Sequence, residues 1–421
     1  MKRVLLISTT TGYQTRSFGD AAAQLGVELV FATDRCHQID DPWRDAAVAV
    51  RFHDEETSLQ AILEASRASS FDGVLALGDR PTELAARVAD ALGLPGHPVR
   101  ATSIARNKRA TRECLGAAGL SAPWVRTVPL DADPAALAPE LSFPCIVKPL
   151  ALSGGRGVIR ADGPAAFGEA FERLSRMLSE KSVRALRDPL NDRILIEGFV
   201  AGCEVALEGL VERGELRTLA IFDKPDPLDG PFFEETIYVT PSSLPIERLR
   251  KIEEALRRGV AAIGLRHGPV HAECRVDGES VVILEIAARP IGGLCARALR
   301  FEDGHGQVRS LEALLLAHAI GESTAHLTRE PSASGVMMMP IPRRGTYRRV
   351  DGVEEAKRVP GIDDLHVTAK PDQRLVPLPE GASYLGFIFA RRPTSGEVVD
   401  ALREAHNRLD VVIDREIEVR G

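Results

Sequence analysis

The 421-residue chain contains no Gly-Lys dipeptide, which excludes the Walker phosphate loop, because that loop needs Gly-Lys-Ser/Thr at the opening of a helix. The turn after the first apolar run, Thr9-Thr10-Thr11-Gly12-Tyr13, lacks the G-x-G-x-x-G fingerprint, so nothing there points to a dinucleotide. No apolar run approaches the ~18 residues of a membrane span, and no membrane partner is expected. Lys and Arg number 53 against 60 Asp and Glu, a net charge of -7, which gives no basic footprint for nucleic acid. Cysteine is sparse: Cys36, Cys114, Cys145, Cys203, Cys274 and Cys295 are widely spaced. Cys145, Cys203 and Cys274 lie in apolar segments where reduced, buried thiols are common. The expectation is a cytoplasmic protein with neither disulfides nor a zinc site. The opening MKRVLLISTTTG has only four apolar residues between its basic pair and the threonines, so it reads as a strand and not as a secretory signal.

A hydrophobic content of 44% and a charged content of 27% belong to a soluble globular protein, and the length suggests about three domains. Up to about residue 105, strand and helix patterns alternate. VLLIS is followed by a helix from about Ser17 to Leu25, then VELVFAT, a helix near Leu59–Ser66, and GVLALG leading into TELAARVADALGL. This predicts a doubly wound α/β domain. The turn Gly78-Asp79-Arg80-Pro81 either faces a ligand or, as the pattern favours, simply starts a helix.

The segment FPCIVKPLALSGGRGVI, Phe143 to Ile159, organises the rest. Cys145-Ile146-Val147 suits a covered strand that Pro149 stops, so Lys148 sits at a strand end. Ser153-Gly154-Gly155-Arg156-Gly157 then offers glycines whose φ freedom lets consecutive backbone N–H groups converge on an anion. The strand–loop–strand order reads as a phosphate grip, against the plainer reading of a glycine-rich hairpin. Lys108 begins an amphipathic helix ending at Gly119, where a cation is either solvated or held by an anionic ligand. The polar helical stretch from about Pro164 to Asp192 reads as a covering helix.

RILIEGFVAGCEVALEGLV predicts a strand ending at Glu197, the linker Gly198-Phe199-Val200, and a strand from Glu204. The free backbone groups of such a linker can pair with an adenine edge, Glu197 taking the exocyclic amine and Glu204 the ribose; a hairpin with solvated acids is the alternative. In GPVHAECRVDGESVVILEIAARPIGG, the turn Asp277-Gly278-Glu279 joins two strands that can set Glu273 and Glu285 opposite each other. Facing carboxylates in apolar strands are costly, and a divalent cation resolves the conflict. Arg289 offers a planar fork for phosphate oxygens, or else forms a salt bridge with a glutamate.

Taken in order, Lys108, VKPLALSGGRGV, ILIEGFVAGCE, HAECRV and ILEIAARPIGG resemble the ATP-grasp superfamily, and most nearly its bacterial L-amino acid ligases, which are carboxylate–amine ligases. The likeness spans essentially the whole chain. It implies an α/β protein of ATP-grasp architecture: a doubly wound α/β domain over 1–105, a two-lobed nucleotide-binding region over 106–330, and a C-terminal α+β domain over 331–421 that contains VMMMPIPRRG and YLGFIFAR. Carried over by position, Lys108 and Lys148 would contact ATP phosphates under a mobile lid of Ser153, Gly154, Gly155, Arg156 and Gly157. Glu197 and the Phe199–Val200 backbone would take adenine, and Glu204 the ribose. Glu273 and Glu285 would hold magnesium, which manganese can replace, and Arg289 would stabilise the transferred phosphoryl group.

One departure stands out: many of these enzymes have asparagine two residues after the second metal-binding glutamate, and this chain has Ala287. Whether one or two magnesium ions bind is therefore open. The implied reaction joins a small-molecule carboxylate and an amine, amino acids above all, through an acyl phosphate with release of ADP and phosphate. His271, Glu234 and Glu235 are the candidates for handling the amine proton. A homodimer is compatible with the likeness. The alternatives are an ATP-dependent carboxylase or purine-biosynthesis-type enzyme, without biotin dependence since no Ala-Met-Lys-Met motif is present, and a non-catalytic nucleotide-binding protein.

Overall fold

A computed structural model describes residues 1–9, 13–34, 47–381 and 383–415. Thr10, Thr11 and Gly12 of the first turn, and Cys36, lie outside these.

The N-terminal unit is a parallel sheet with strands Ala47–Ala49, Glu28–Thr33, Arg3–Ser8 and Gly73–Leu77 in that spatial order. Side chains alternate across it: Val4 and Leu6 feed one core, Leu5 and Ile7 the other. Helices Glu55–Ala68 and Pro81–Leu92 cover the Leu5 side. The first of these is longer than its hydrophobic pattern suggests, because the Asp54 side chain caps it by accepting from the Thr57 amide. Helix Tyr13–Leu25, which starts before the expected Ser17, covers the Val4 side together with a helix from far along the chain, Leu311–Ala319. That second helix is buried along its whole length. Its other flank meets the large sheet described next, so no polar face is needed.

Two sheets form the middle of the molecule. A four-stranded sheet orders Val125–Pro129, Arg193–Gly198, Cys145–Pro149 and Ile159–Ala161, with helix Pro164–Leu178 packed over it through Phe167, Phe171 and Leu174. Pro149 does not stop the strand short, as expected, but is its last residue, in register with Ile194. An eight-stranded sheet orders Ser280–Ala287, Gly268–Asp277, Cys203–Glu212, Glu215–Asp223, Ile237–Thr240, Ala333–Met339, Gly386–Arg392 and Ile362–Val367. Its last three strands come from beyond residue 330, so one continuous sheet crosses that point through the pairing of Ile237–Thr240 with Ala333–Met339. Among the described residues, no helix is long and apolar enough to cross a membrane. Cys145, Cys274 and Cys295 are buried, whereas Cys203, expected to be buried, is exposed at the start of its strand.

Candidate active site

A cavity of about 560 Å³ opens between the four-stranded and eight-stranded sheets. Lys148 reaches it from the end of the Cys145–Pro149 strand. In the neighbouring strand Glu197 is in register with Ile146, two residues from Lys148 and so on the same face. Glu197 accordingly pairs with Lys148 and also accepts from Arg112 Nε at 3.1 Å. Burial works against this carboxylate, but Arg112 and Lys148 together hold it below the usual range. Glu197, expected at an adenine amine, lines the cavity with its carboxylate 3% exposed and bonded to these two cations. Burial pushes Lys148 down from the ordinary lysine range. Glu197 offsets this only in part, and Arg112 and Lys108 add repulsion. An anion arriving at Lys148 would relieve that excess of positive charge.

Lys108 is the first residue of helix Lys108–Ala117, capped by the Asn107 side chain. It is not solvated. Its Nζ donates to the Leu152 carbonyl at 2.9 Å and lies 3.9 Å from Glu285, joining the loop to the far sheet. In that loop Gly154, Gly155 and Gly157 have φ of 66°, 68° and 73°, values that L side chains rarely adopt. The anion cradle is narrower than expected, because the amides of Arg156, Gly157 and Val158 donate to the carbonyls of Ser153, Pro379 and Gly155. The C-terminal part of the chain thus grips the loop. Arg156 Nε donates to the Glu380 carbonyl at 3.1 Å, and Arg173 holds the Glu380 carboxylate at 2.6 and 3.0 Å.

The Gly198–Val200 linker is also less free than an isolated extended segment. The amides of Gly198 and Phe199 donate to the carbonyls of Trp124 and Pro144, and Val200 O accepts from Arg275 at 2.7 Å. Arg275 donates as well to Glu204 at 3.1 Å and to the Leu228 carbonyl, and lies 5.2 Å from the Phe199 ring centroid. It fixes the linker to Glu204.

Glu273 and Glu285 are directly opposite in register across the Gly268–Asp277 and Ser280–Ala287 strands, as the tight turn at Gly278 implied. Their carboxylates can offer hard oxygen ligands to one divalent ion. Glu273 is also bound by Lys224 Nζ at 2.7 Å, and Lys224 binds Glu204 and Glu235 at the same distance. Burial pushes the Glu235 carboxyl up to about 7, against the pull of Lys224, and Tyr238 donates to it at 3.0 Å. Glu235 lines the cavity; its neighbour Glu234 does not, and only its own partial burial raises it. His271 sits between Glu208 at 3.2 Å and Glu273 at 3.8 Å. Burial disfavours its charge, but these carboxylates raise it to about 9. His271 thus lines the cavity with carboxylates on both sides of its ring.

Among the described residues, Arg289 forms no salt bridge with a glutamate. Its Nε and Nη2 donate to the two oxygens of Asp79 at 2.9 and 3.2 Å, and Nη1 donates to Pro290 O at 3.1 Å. A guanidinium has five N–H groups, so two remain for a ligand. The Gly78–Pro81 turn does more than start a helix: through Asp79 it aims Arg289. Glu208, wholly buried, accepts from the Ile291 amide at 3.1 Å and so anchors the turn that follows Arg289. From the C-terminal part, Met338, Gln373, Ser383, Tyr384 and Phe387 close the remaining wall.

Sequence reasoning missed Lys224, Asp79, Glu208 and Arg275. Lys224 follows a strand in FDKP, where a lysine is ordinary, and Glu208 falls among apolar residues in VALEGL. That buried carboxylate was the one available signal.

An ATP-grasp N-terminal domain matches residues 19–96, an ATP-grasp domain residues 141–298, and the L-amino acid ligase C-terminal domain 2 residues 337–414. The crystal structure of L-amino acid ligase from Bacillus licheniformis superposes with a TM-score of 0.83 at 26% identity, covering 99% of each chain. An uncharacterized protein of Sinorhizobium fredii, y4rH, is 24% identical over 97% of this chain and 83% of its own length. Alanine–anticapsin ligase of Bacillus subtilis is 27% identical over 56% of this chain, and the match spans about half of that relative, 52%. The chain belongs to the ATP-grasp superfamily, and its C-terminal domain is of the L-amino acid ligase type.

Proposed function

We propose that the protein is an ATP-dependent carboxylate–amine ligase whose substrates are small molecules, a carboxylic acid and an amine, with amino acids as the first candidates for both. The observation that carries this reading is the convergence of Lys148, the Ser153–Gly157 loop, the opposed Glu273 and Glu285, and Arg289 on one cavity. The likeness to L-amino acid ligase of Bacillus licheniformis supports it.

A carboxylate cannot expel oxide, so it must first be given a leaving group. In the proposed reaction a carboxylate oxygen attacks the γ-phosphorus of ATP, the bond to ADP breaks, and an acyl phosphate forms. The amine then attacks the acyl carbon, and phosphate departs with the carboxylate's oxygen. Lys108, Lys148 and the front of the loop would hold the phosphates. Arg289, its direction set by Asp79, would receive the transferring phosphoryl oxygens with its two remaining N–H groups. Magnesium, held by Glu273 and Glu285, would neutralise charge on those oxygens. Glu204 and the unengaged groups of Phe199 and Val200 would take the nucleoside.

Glu235 is the group we assign to the amine proton, because it lines the cavity, which Glu234 does not, and burial raises its carboxyl to about 7 against the pull of Lys224. Phosphate release, screened over a matrix of amino acids and other carboxylates against amines with mass spectrometry of products, tests the reading. With ¹⁸O-labelled carboxylate, the label is expected in the released phosphate. AMP and pyrophosphate as products would rule the mechanism out. Bicarbonate-dependent turnover without any amine would favour a carboxylase.

A further inference from the structure

Three carboxylates at one end of the cavity, Glu204, Glu235 and Glu273, place oxygens within 4.8 Å of one another. That end already holds a cation. Lys224 Nζ lies 2.7 Å from an oxygen of each and 4.9 Å from the Tyr238 ring centroid, and its side chain is 3% exposed. An ammonium has three N–H donors, so all are used in charge-assisted bonds. The backbone is pinned as well, since the Lys224 amide donates to the Glu204 carbonyl at 3.3 Å. A divalent ion could take this position only by expelling a fully bonded ammonium.

The far side of Glu273, toward the Ser280–Ala287 strand, differs. Glu285 faces Glu273 in register, and its nearest cationic partner among the described residues is Lys108, 3.9 Å away. Glu273 meets Lys224 through Oε1, which leaves Oε2 for an ion shared with Glu285. Ala287, on the same face as Glu285, is paired with His271 and supplies no oxygen for a second ion. We propose that Lys224 is the resident cation of this site and that the chain binds one divalent ion, between Glu273 and Glu285, where a pair would otherwise stand. This rests on the nucleotide-dependent reading above.

Manganese titrated into the protein with a non-hydrolysable ATP analogue, and counted by electron paramagnetic resonance, tests it. One manganese per chain with the spectrum of an isolated ion is expected. Lys224→Met should admit a second ion, doubling the count and adding the dipolar broadening of ions about 3.5–4 Å apart. Lys224→Arg, which keeps the charge, should retain a count of one. Zero ions or two coupled ions in the unaltered protein would overturn the proposal, as would a count of one in a Lys224→Met protein that binds the analogue. If Lys224→Met does not fold, the count in the unaltered protein decides alone. The measurement needs only the nucleotide, so failure to join any carboxylate to any amine would sink the proposed reaction and leave this count standing.

Discussion

Asp79 and Arg289 are joined by a two-pronged ion pair, 2.9 and 3.2 Å, that links the turn after the last strand of the N-terminal sheet to the residue aimed at the cavity. Burial opposes the charge on each, but each holds the other ionised: Asp79 is lowered and Arg289 raised. Removing one partner of a buried pair costs about 3–5 kcal/mol. Asp79→Asn is therefore expected to lower the thermal midpoint by several degrees and to cut ATP turnover at least tenfold, by thermal unfolding and phosphate release. Arg289→Lys should be similarly impaired in turnover, because an ammonium cannot serve Asp79 in two-pronged fashion and a phosphoryl group as well. Full activity in both variants would remove Arg289 from the chemistry.

Lys148→Ala should abolish turnover and weaken nucleotide binding, measured by calorimetry. Glu197→Gln should act differently. It frees Lys148 of its only acidic partner among the described residues while Arg112 and Lys108 still repel it, so the protein should lose stability but keep measurable affinity for ATP. Equal nucleotide affinity in Lys148→Ala and the parent would contradict the phosphate assignment.

The Ser153–Gly157 loop is held by the Pro379 and Glu380 carbonyls, and Arg173 in turn anchors Glu380 by its carboxylate. Glu380→Ala is expected to loosen the loop, seen as faster limited proteolysis there and a several-fold weaker apparent affinity for ATP. The overall fold should persist, because this ion pair is partly exposed and such pairs contribute about 1 kcal/mol or less. Unchanged proteolysis would show that Gly157 and Arg156 alone suffice.

Acid should destabilise the protein through His97 and His318. Burial pushes each down to about 4. His97 is fixed between the Arg266 amide and the Pro269 carbonyl. His318 stacks on His267 at 4.0 Å, with Arg217 adding repulsion. Because the folded values lie below the ordinary 6.5, the unfolded chain binds more protons in between. Stability is thus full above about pH 6.5 and falls as pH drops toward 4. His318→Gln should lose less of its thermal midpoint between pH 7 and 4.5 than the parent does.

The legible part of the site was the part written locally. Lys148 and the glycines share one strand–loop–strand segment, and Glu273 and Glu285 are set opposite by a single tight turn, so period and spacing carry the geometry. Lys224, Asp79 and Arg275 have meaning only through strands brought together from distant positions. His271 lies on the expected face two residues before Glu273, yet its partner Glu208, 3.2 Å away, comes from the adjoining strand. The fold was read in the same way: alternating elements revealed the N-terminal sheet, but nothing near them pointed to the helix at Leu311.

That helix ties the biogenesis of the chain to its far end. Val4, Leu6, Leu75 and Leu77 share their core with helix Tyr13–Leu25 and with Leu311–Ala319, which is synthesised much later. The sheet is then sealed only after that helix emerges. A nascent chain leaving the ribosome must carry part of this apolar face uncovered until then, a state that invites aggregation and the attention of chaperones.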